Sequence, residues 1–136
     1  MISGPVGCGK TCLMRLLKHI VPLQRQYEVI PARNVVFGFN HIGFKIIEDY
    51  GNAGFFCFDD LGAEPTGRFF GKDCNVLGEL LLSRHELFLQ AKIKTHATTN
   101  LIADEMEDRY GNRVRSRMRQ MFNLVSFDKN TRDKRN

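Results

Sequence analysis

Gly4-Pro5-Val6-Gly7-Cys8-Gly9-Lys10-Thr11 begins only three residues into the chain. It fits the pattern of a glycine, four free positions and Gly-Lys-Ser/Thr at every fixed position. Leu13, Leu16, Leu17 and Ile20 come next at helical spacing, with Arg15 and Lys18 on another face. A glycine loop opening a helix can wrap its backbone N–H groups around phosphate oxygens. Gly4, Gly7 and Gly9 permit the backbone angles and the close approach this needs. The loop therefore calls for a buried parallel strand before it and a helix after it. Only Met1-Ile2-Ser3 is available for that strand, against about 5–6 residues for an ordinary one. A central strand cut so short is expected to leave neighbouring backbone groups unpaired. The remainder of it is expected upstream of Met1.

The rest of the chain alternates strand and helix patterns. Tyr27–Ile30 suits a short strand. Pro31 and Gly38 interrupt the segment after it, and Phe44–Tyr50 has helical character. Phe55–Phe58 is a continuous apolar run that ends in Asp59 and Asp60, as expected of a strand covered on both faces. The longest helix candidate runs from Asp73 to about Lys92. Thr95–Asn100 reads as a β-branched strand closing on polar residues. The segment from Asp104 to Phe122 has helical spacing broken at Gly111, and Asn123–Phe127 reads as a last strand. This alternation predicts an α/β fold with a parallel sheet. Ligands in such sheets bind outside the carboxyl ends of the strands, where Asp59, Asp60 and Asn100 all fall.

Composition narrows the class. With 136 residues, 43% hydrophobic and 26% charged, the chain reads as one soluble domain with a real core. No run approaches the ~18 apolar residues of a membrane helix. Cys8, Cys12, Cys57 and Cys74 form no C-x-x-C pair, so they are expected to be free thiols in a reducing cytoplasm. The net charge of +5 is uneven: residues 1–108 hold 11 basic and 13 acidic side chains, whereas residues 109–136 hold 9 and 2. A basic end of this kind is either a solvated tail or an attractor of phosphate backbones and acidic neighbours.

The loop's chemistry assigns roles. Lys10 brings a compact positive charge to the β- and γ-phosphates of a nucleotide, and Thr11 offers a hydroxyl to Mg²⁺. Mg²⁺ favours oxygen ligands and keeps several waters, so a carboxylate is needed across the site. Asp59, emerging from a buried strand, is the metal-side acid. Asp60 is placed to orient or deprotonate an attacking water. Asn100 either holds that water or caps the next helix. Arg113, Arg115, Arg117 and Arg119 alternate at i, i+2 and spread over more than one helical face.

Taken together, Gly4–Thr11, Phe56–Glu64, His96–Leu101 and Tyr110–Met118 resemble the DnaC/IstB-like branch of the AAA+ ATPases, which contains helicase loaders and transposition helper ATPases. The resemblance runs from Gly4 to about Phe127. It implies a P-loop NTPase three-layer α/β fold, strand order 5-1-4-3-2, spanning residues 1–128, with 129–136 as a basic tail and no helical lid. It implies that Gly4, Pro5, Val6, Gly7, Cys8, Gly9, Lys10 and Thr11 form Walker A, with Cys12 beside them at the nucleotide. Thr11 and Asp59 would hold the metal, Asp60 would be the catalytic neighbour and Asn100 the first sensor. Arg117 would be the arginine finger reaching into the next subunit, with Arg113 as the second choice. ATP and Mg²⁺, a homo-oligomer, single-stranded DNA and a replicative helicase or transposase are the implied cofactors and partners. Two other readings stand beside this one: a truncated remnant that keeps the motifs without hydrolysing, and a small P-loop kinase, for which neither acceptor site nor lid is visible. A plain nucleic-acid module fits least, because the aromatic residues cluster in apolar runs and not among the arginines.

Overall fold

The computed structural model describes residues 1–135. Five strands form one sheet: β1 (Ile2–Ser3), β2 (Glu28–Pro31), β3 (Phe56–Leu61), β6 (His96–Thr99) and β7 (Val125–Ser126). Between β3 and β6 lies a separate antiparallel hairpin, β4 (Gly67–Phe69) with β5 (Lys72–Cys74). The large sheet runs β2-β3-β6-β1-β7, and every pairing in it is parallel. Counting only its own strands, this is the expected 5-1-4-3-2 order. The helices are α1 (Lys10–Leu17), α2 (Ala32–Ile42), α3 (Lys45–Gly51), α4 (Val76–Ala91), α5 (Ala103–Tyr110) and α6 (Asn112–Met121).

Alternation along β3 divides the core between the two faces of the sheet. Cys57 packs with Ile2, Met14 and Tyr27 beneath α1. Phe58 faces the larger core, built from Val35, Val36 and Phe39 of α2, Leu77, Leu80 and Leu81 of α4, and Met106, Val114 and Met118 of α5 and α6. Each of these apolar side chains contributes about 1.5–3 kcal/mol by leaving water. No helix is long and apolar enough to cross a membrane among the described residues.

β1 is as short as the sequence allows, yet it is central and paired on both sides, Ile2 with Thr98 and Val125, Ser3 with Thr99 and Ser126. Backbone bonds extend the pairing at its ends: Gly4 N–H donates to Thr99 O at 3.3 Å, and Val125 N–H donates to Met1 O at 2.9 Å.

Three sequence expectations need correction. Gly38 does not interrupt the chain; α2 passes through it. A glycine inside a helix costs roughly 0.5–1 kcal/mol, less than the burial of Val35, Val36 and Phe39 returns. A Cβ at Gly38 would sit 2.8 Å from Ile46 Cδ1, so the glycine is what lets α3 approach. The long helix begins at Val76, not Asp73, because Asn75 caps it by accepting Gly78 N–H at 3.2 Å. Asp73 belongs instead to the hairpin, where it pairs with Arg68 at 2.8 Å. Phe70 and Gly71, both at positive φ (48° and 75°), make the turn, as a two-residue hairpin with mirror-image twist requires. Finally, β3 does not stop at Phe58 but continues through both aspartates to Leu61. The break at Gly111 is as read, separating α5 from α6 with φ 85°.

Candidate functional site

The carboxyl ends of β1, β3 and β6 bring the proposed residues to one place. The loop after β1 turns back on itself through Gly7 and Gly9, at φ 79° and 97°, angles that a side chain would strain. Gly9 precedes α1, and no side chain caps that helix. The first N–H groups of α1 thus lack intrahelical partners and face the cleft with the helix dipole behind them.

Lys10 is almost wholly buried. Its ammonium donates to Gly4 O and Pro5 O, both at 2.8 Å, and to Asn100 Oδ1 at 2.6 Å. It lies 3.7 Å from Cys8 Sγ, so Cys8 packs beneath the lysine and not in the cleft. The Asn100 contact joins residues ninety apart in sequence, tying the end of β6 to the loop.

Asp59 and Asp60 occupy a β-bulge. Phe58 pairs with Ala97 and Leu61 with Thr99, so three steps along β3 match two along β6. The extra residue re-aims the side chains at the strand end. Asp59 turns inward and is buried. Its carboxylate accepts from Thr11 Oγ1 at 3.0 Å and from Thr98 Oγ1 at 2.6 Å. Asp60 stands in the left-handed region at φ 58°, held by its N–H donating to Thr98 Oγ1 at 2.9 Å. One threonine hydroxyl therefore fixes both aspartates, donating to one and accepting from the other. Asp60 is exposed at the cleft. Even so, desolvation raises its carboxyl above the ordinary value, the charge of Asp59 adds to the rise, and Lys10, Arg33 and Arg135 oppose it.

The cleft so formed has a volume of about 330 Å³ and is lined by Gly7, Gly9, Lys10, Thr11, Asp60 and Asn100, together with Val6, Cys12 and Arg135. Gly4 and Pro5 border an adjoining hollow shared with Asn100, Arg115 and Phe127. The donors suit Mg²⁺. Neighbouring ligands of an octahedral ion at 2.0–2.1 Å lie roughly 2.9 Å apart, and the Thr11 and Asp59 oxygens are 3.0 Å apart. Arg117 is on α6, half-buried, and does not line the cleft of its own chain; Arg113 on the same helix is exposed.

Sequence reasoning missed three contributors. Thr98 is one of three threonines in the strand read from the sequence, yet it is fully buried, and a buried hydroxyl needs partners. Glu64 is buried where it accepts Gly62 N–H at 2.7 Å and Tyr110 Oη at 2.6 Å, with Arg109 at 3.3 Å. It ties the loop after the aspartates to the end of α5. Burial, together with the charge of Glu64 and its hydrogen bond, pushes the Tyr110 hydroxyl's pKa up. Arg135, in the basic tail, reaches the cleft margin.

No protein-family model matches the chain, and no curated protein matches it either. Solved structures do. The DnaC helicase loader superposes with a TM-score of 0.66 at 19% identity, covering 93% of this chain and 76% of that one. AMPPCP-bound DnaA from Aquifex aeolicus gives 0.66 at 20% identity, with 93% of this chain but only 39% of DnaA covered. DnaI gives 0.63 at 19% identity, over 93% and 71%. With its sheet order and glycine loop, this chain has the three-layer P-loop NTPase fold of these solved structures.

Proposed function

We propose that the chain binds ATP with Mg²⁺ and hydrolyses it, and that it serves as a helicase-loader or transposition-helper ATPase. The observation that carries this reading is the convergence of two hydrogen-bonded pairs, Lys10 with Asn100 and Thr11 with Asp59, at one end of the sheet, with Asp60 on the same bulge as Asp59. The helicase-loader neighbours and the nucleotide-bound DnaA support the same direction.

In the proposed reaction Lys10 leaves the Gly4 and Pro5 carbonyls for the β- and γ-phosphates. Thr11 and Asp59 would hold Mg²⁺, which would supply positive charge against the phosphates. Asn100 steadies the attacking water and Asp60 accepts its proton. The water oxygen bonds to the γ-phosphorus as the bridge to the β-phosphate breaks, giving ADP and phosphate. Arg117, outside its own cleft, acts on the ATP of a neighbouring copy, and the core of residues 1–128 assembles as a homo-oligomer. The basic carboxyl-terminal portion contacts single-stranded DNA, and a replicative helicase or a transposase is the protein partner.

Asp60→Asn tests the chemistry. Asparagine tolerates the left-handed backbone and keeps the side chain's shape, while the proton acceptor is lost. ATP affinity is expected to stay within about twofold and phosphate release to fall by about 10²–10⁴-fold. Hydrolysis at the wild-type rate would remove Asp60 from the mechanism.

A further inference from the structure

Residues 128–135 do not trail away from the domain. Asn130 N–H donates to Asp128 Oδ1 at 2.7 Å and Thr131 N–H to Asp128 O at 3.0 Å, closing a turn just after β7. The segment then crosses the glycine loop, where Lys134 N–H donates to Gly7 O at 3.0 Å. Asp133 is packed so closely on Gly7 that a Cβ there would collide with its carboxyl group. Its carboxylate grips Arg135 in the two-pronged manner that a guanidinium offers. Oδ1 accepts Nε–H at 3.1 Å, Oδ2 accepts from Nη2 at 2.9 Å, and the Arg135 N–H adds a bond of 2.9 Å. Arg135 itself borders the cleft with Lys10, Thr11, Asp60 and Asn100.

This arrangement sets a carboxylate against the crown of a loop suited to phosphate and has it occupy a guanidinium at the cleft's edge. Planar forks of this kind bind carboxylate and phosphate by the same geometry. Resting on the nucleotide reading of the cleft, we propose that the tail is part of the nucleotide site: Arg135 takes a phosphate oxygen of the bound nucleotide in cis, and Asp133 is the built-in anion that the phosphate displaces. Asp133 weakens nucleotide binding twice over, by like charge beside Gly7 and by holding Arg135. The backbone bond from Lys134 to Gly7 keeps the pair in place.

The test is calorimetric titration of Mg·ATP into the full chain. Both substitutions lie on an exposed segment and leave the core untouched. Asp133→Asn is expected to tighten binding by about three- to fivefold and Arg135→Ala to weaken it by a similar factor, the scale of an exposed ion pair. In the double variant the gain from Asp133→Asn should largely vanish, since Arg135 is what the carboxylate withholds. Unchanged affinity in both single variants, or a shift of both in the same direction, overturns the proposal. Lys10→Ala separates the two claims. If ATP binding depends on Lys10 while the tail variants are flat, only the tail's role fails. If binding ignores Lys10, the nucleotide reading fails and the tail's role goes with it.

Discussion

The two ends of the parallel sheet share their strands but gather different chemistry. At the carboxyl end, β1, β3 and β6 run out into a glycine loop, two aspartates and an asparagine around a cleft of about 330 Å³. At the amino end, apolar side chains such as Ile2, Met14, Phe88 and Phe122, with Lys94, His96 and Gln120 among them, line a larger cavity of about 510 Å³. Size alone would choose the amino end. Convergent polar groups choose the other, because parallel strands collect all their carboxyl termini on one side, along with the N-terminus of α1 and its unpaired N–H groups. At the amino end the tyrosine hydroxyl is already satisfied: Tyr27 Oη donates to Met14 O at 2.7 Å, and burial lifts its pKa to about 12.

If this division is right, perturbations at the two ends should separate cleanly. The largest effect is expected from Arg117. Arg117→Ala should lower ATP turnover by about 10³-fold, within the range for arginine fingers, with ATP binding retained. Mixing Arg117→Ala with Lys10→Ala chains should restore part of the activity, because one class of interface then has an intact cleft facing an intact arginine. Activity independent of protein concentration, with no rescue on mixing, would make the carboxyl end a self-contained site. A smaller effect, confined to stability, is expected at the amino end. Tyr27→Ala should cost about 3 kcal/mol of unfolding free energy in a denaturant titration, with ATP affinity unchanged within twofold. A comparable loss of affinity would show that the two ends are coupled.

The smallest effect concerns Asp60, where function and stability oppose each other. Its folded pKa lies above the ordinary aspartate value, so ionising it costs folding free energy. The stability it contributes is complete below its unfolded pKa and is lost as pH rises through its folded one. Asp60→Asn should therefore melt slightly higher than the wild type at neutral pH, by on the order of a degree. The difference should shrink as pH falls and Asp60 takes up its proton in both states. A variant that melts lower at neutral pH would mean that the Asp60 charge is stabilised in the fold.

The features legible in the sequence were those that sit in a contiguous motif. The glycine loop, the two aspartates behind an apolar run and Asn100 at a strand end each carry their signal within a few residues. The features that escaped depend on contacts between distant residues. Thr98 matters only because the bulge delivers two aspartates to one hydroxyl. Glu64 matters only because Tyr110 and Arg109, more than forty positions away, close over it. The helix α2 was hidden by Gly38, whose role is to admit Ile46, and the hairpin by Phe70, an aromatic residue at positive φ that local preference argues against. The tail read as a charged end because charge counts carry no information on where a segment packs.

The central claim is that the cleft at the carboxyl end of the sheet is a nucleotide site organised by Lys10. Calorimetry with Mg·ATP on the wild type and Lys10→Ala, both shown by circular dichroism to be folded, tests it most directly. Removing a buried ammonium that is to bond two phosphates should weaken binding by about a hundredfold, the upper range for hydrogen bonds to charged groups. Equal affinity in the two proteins would contradict the account.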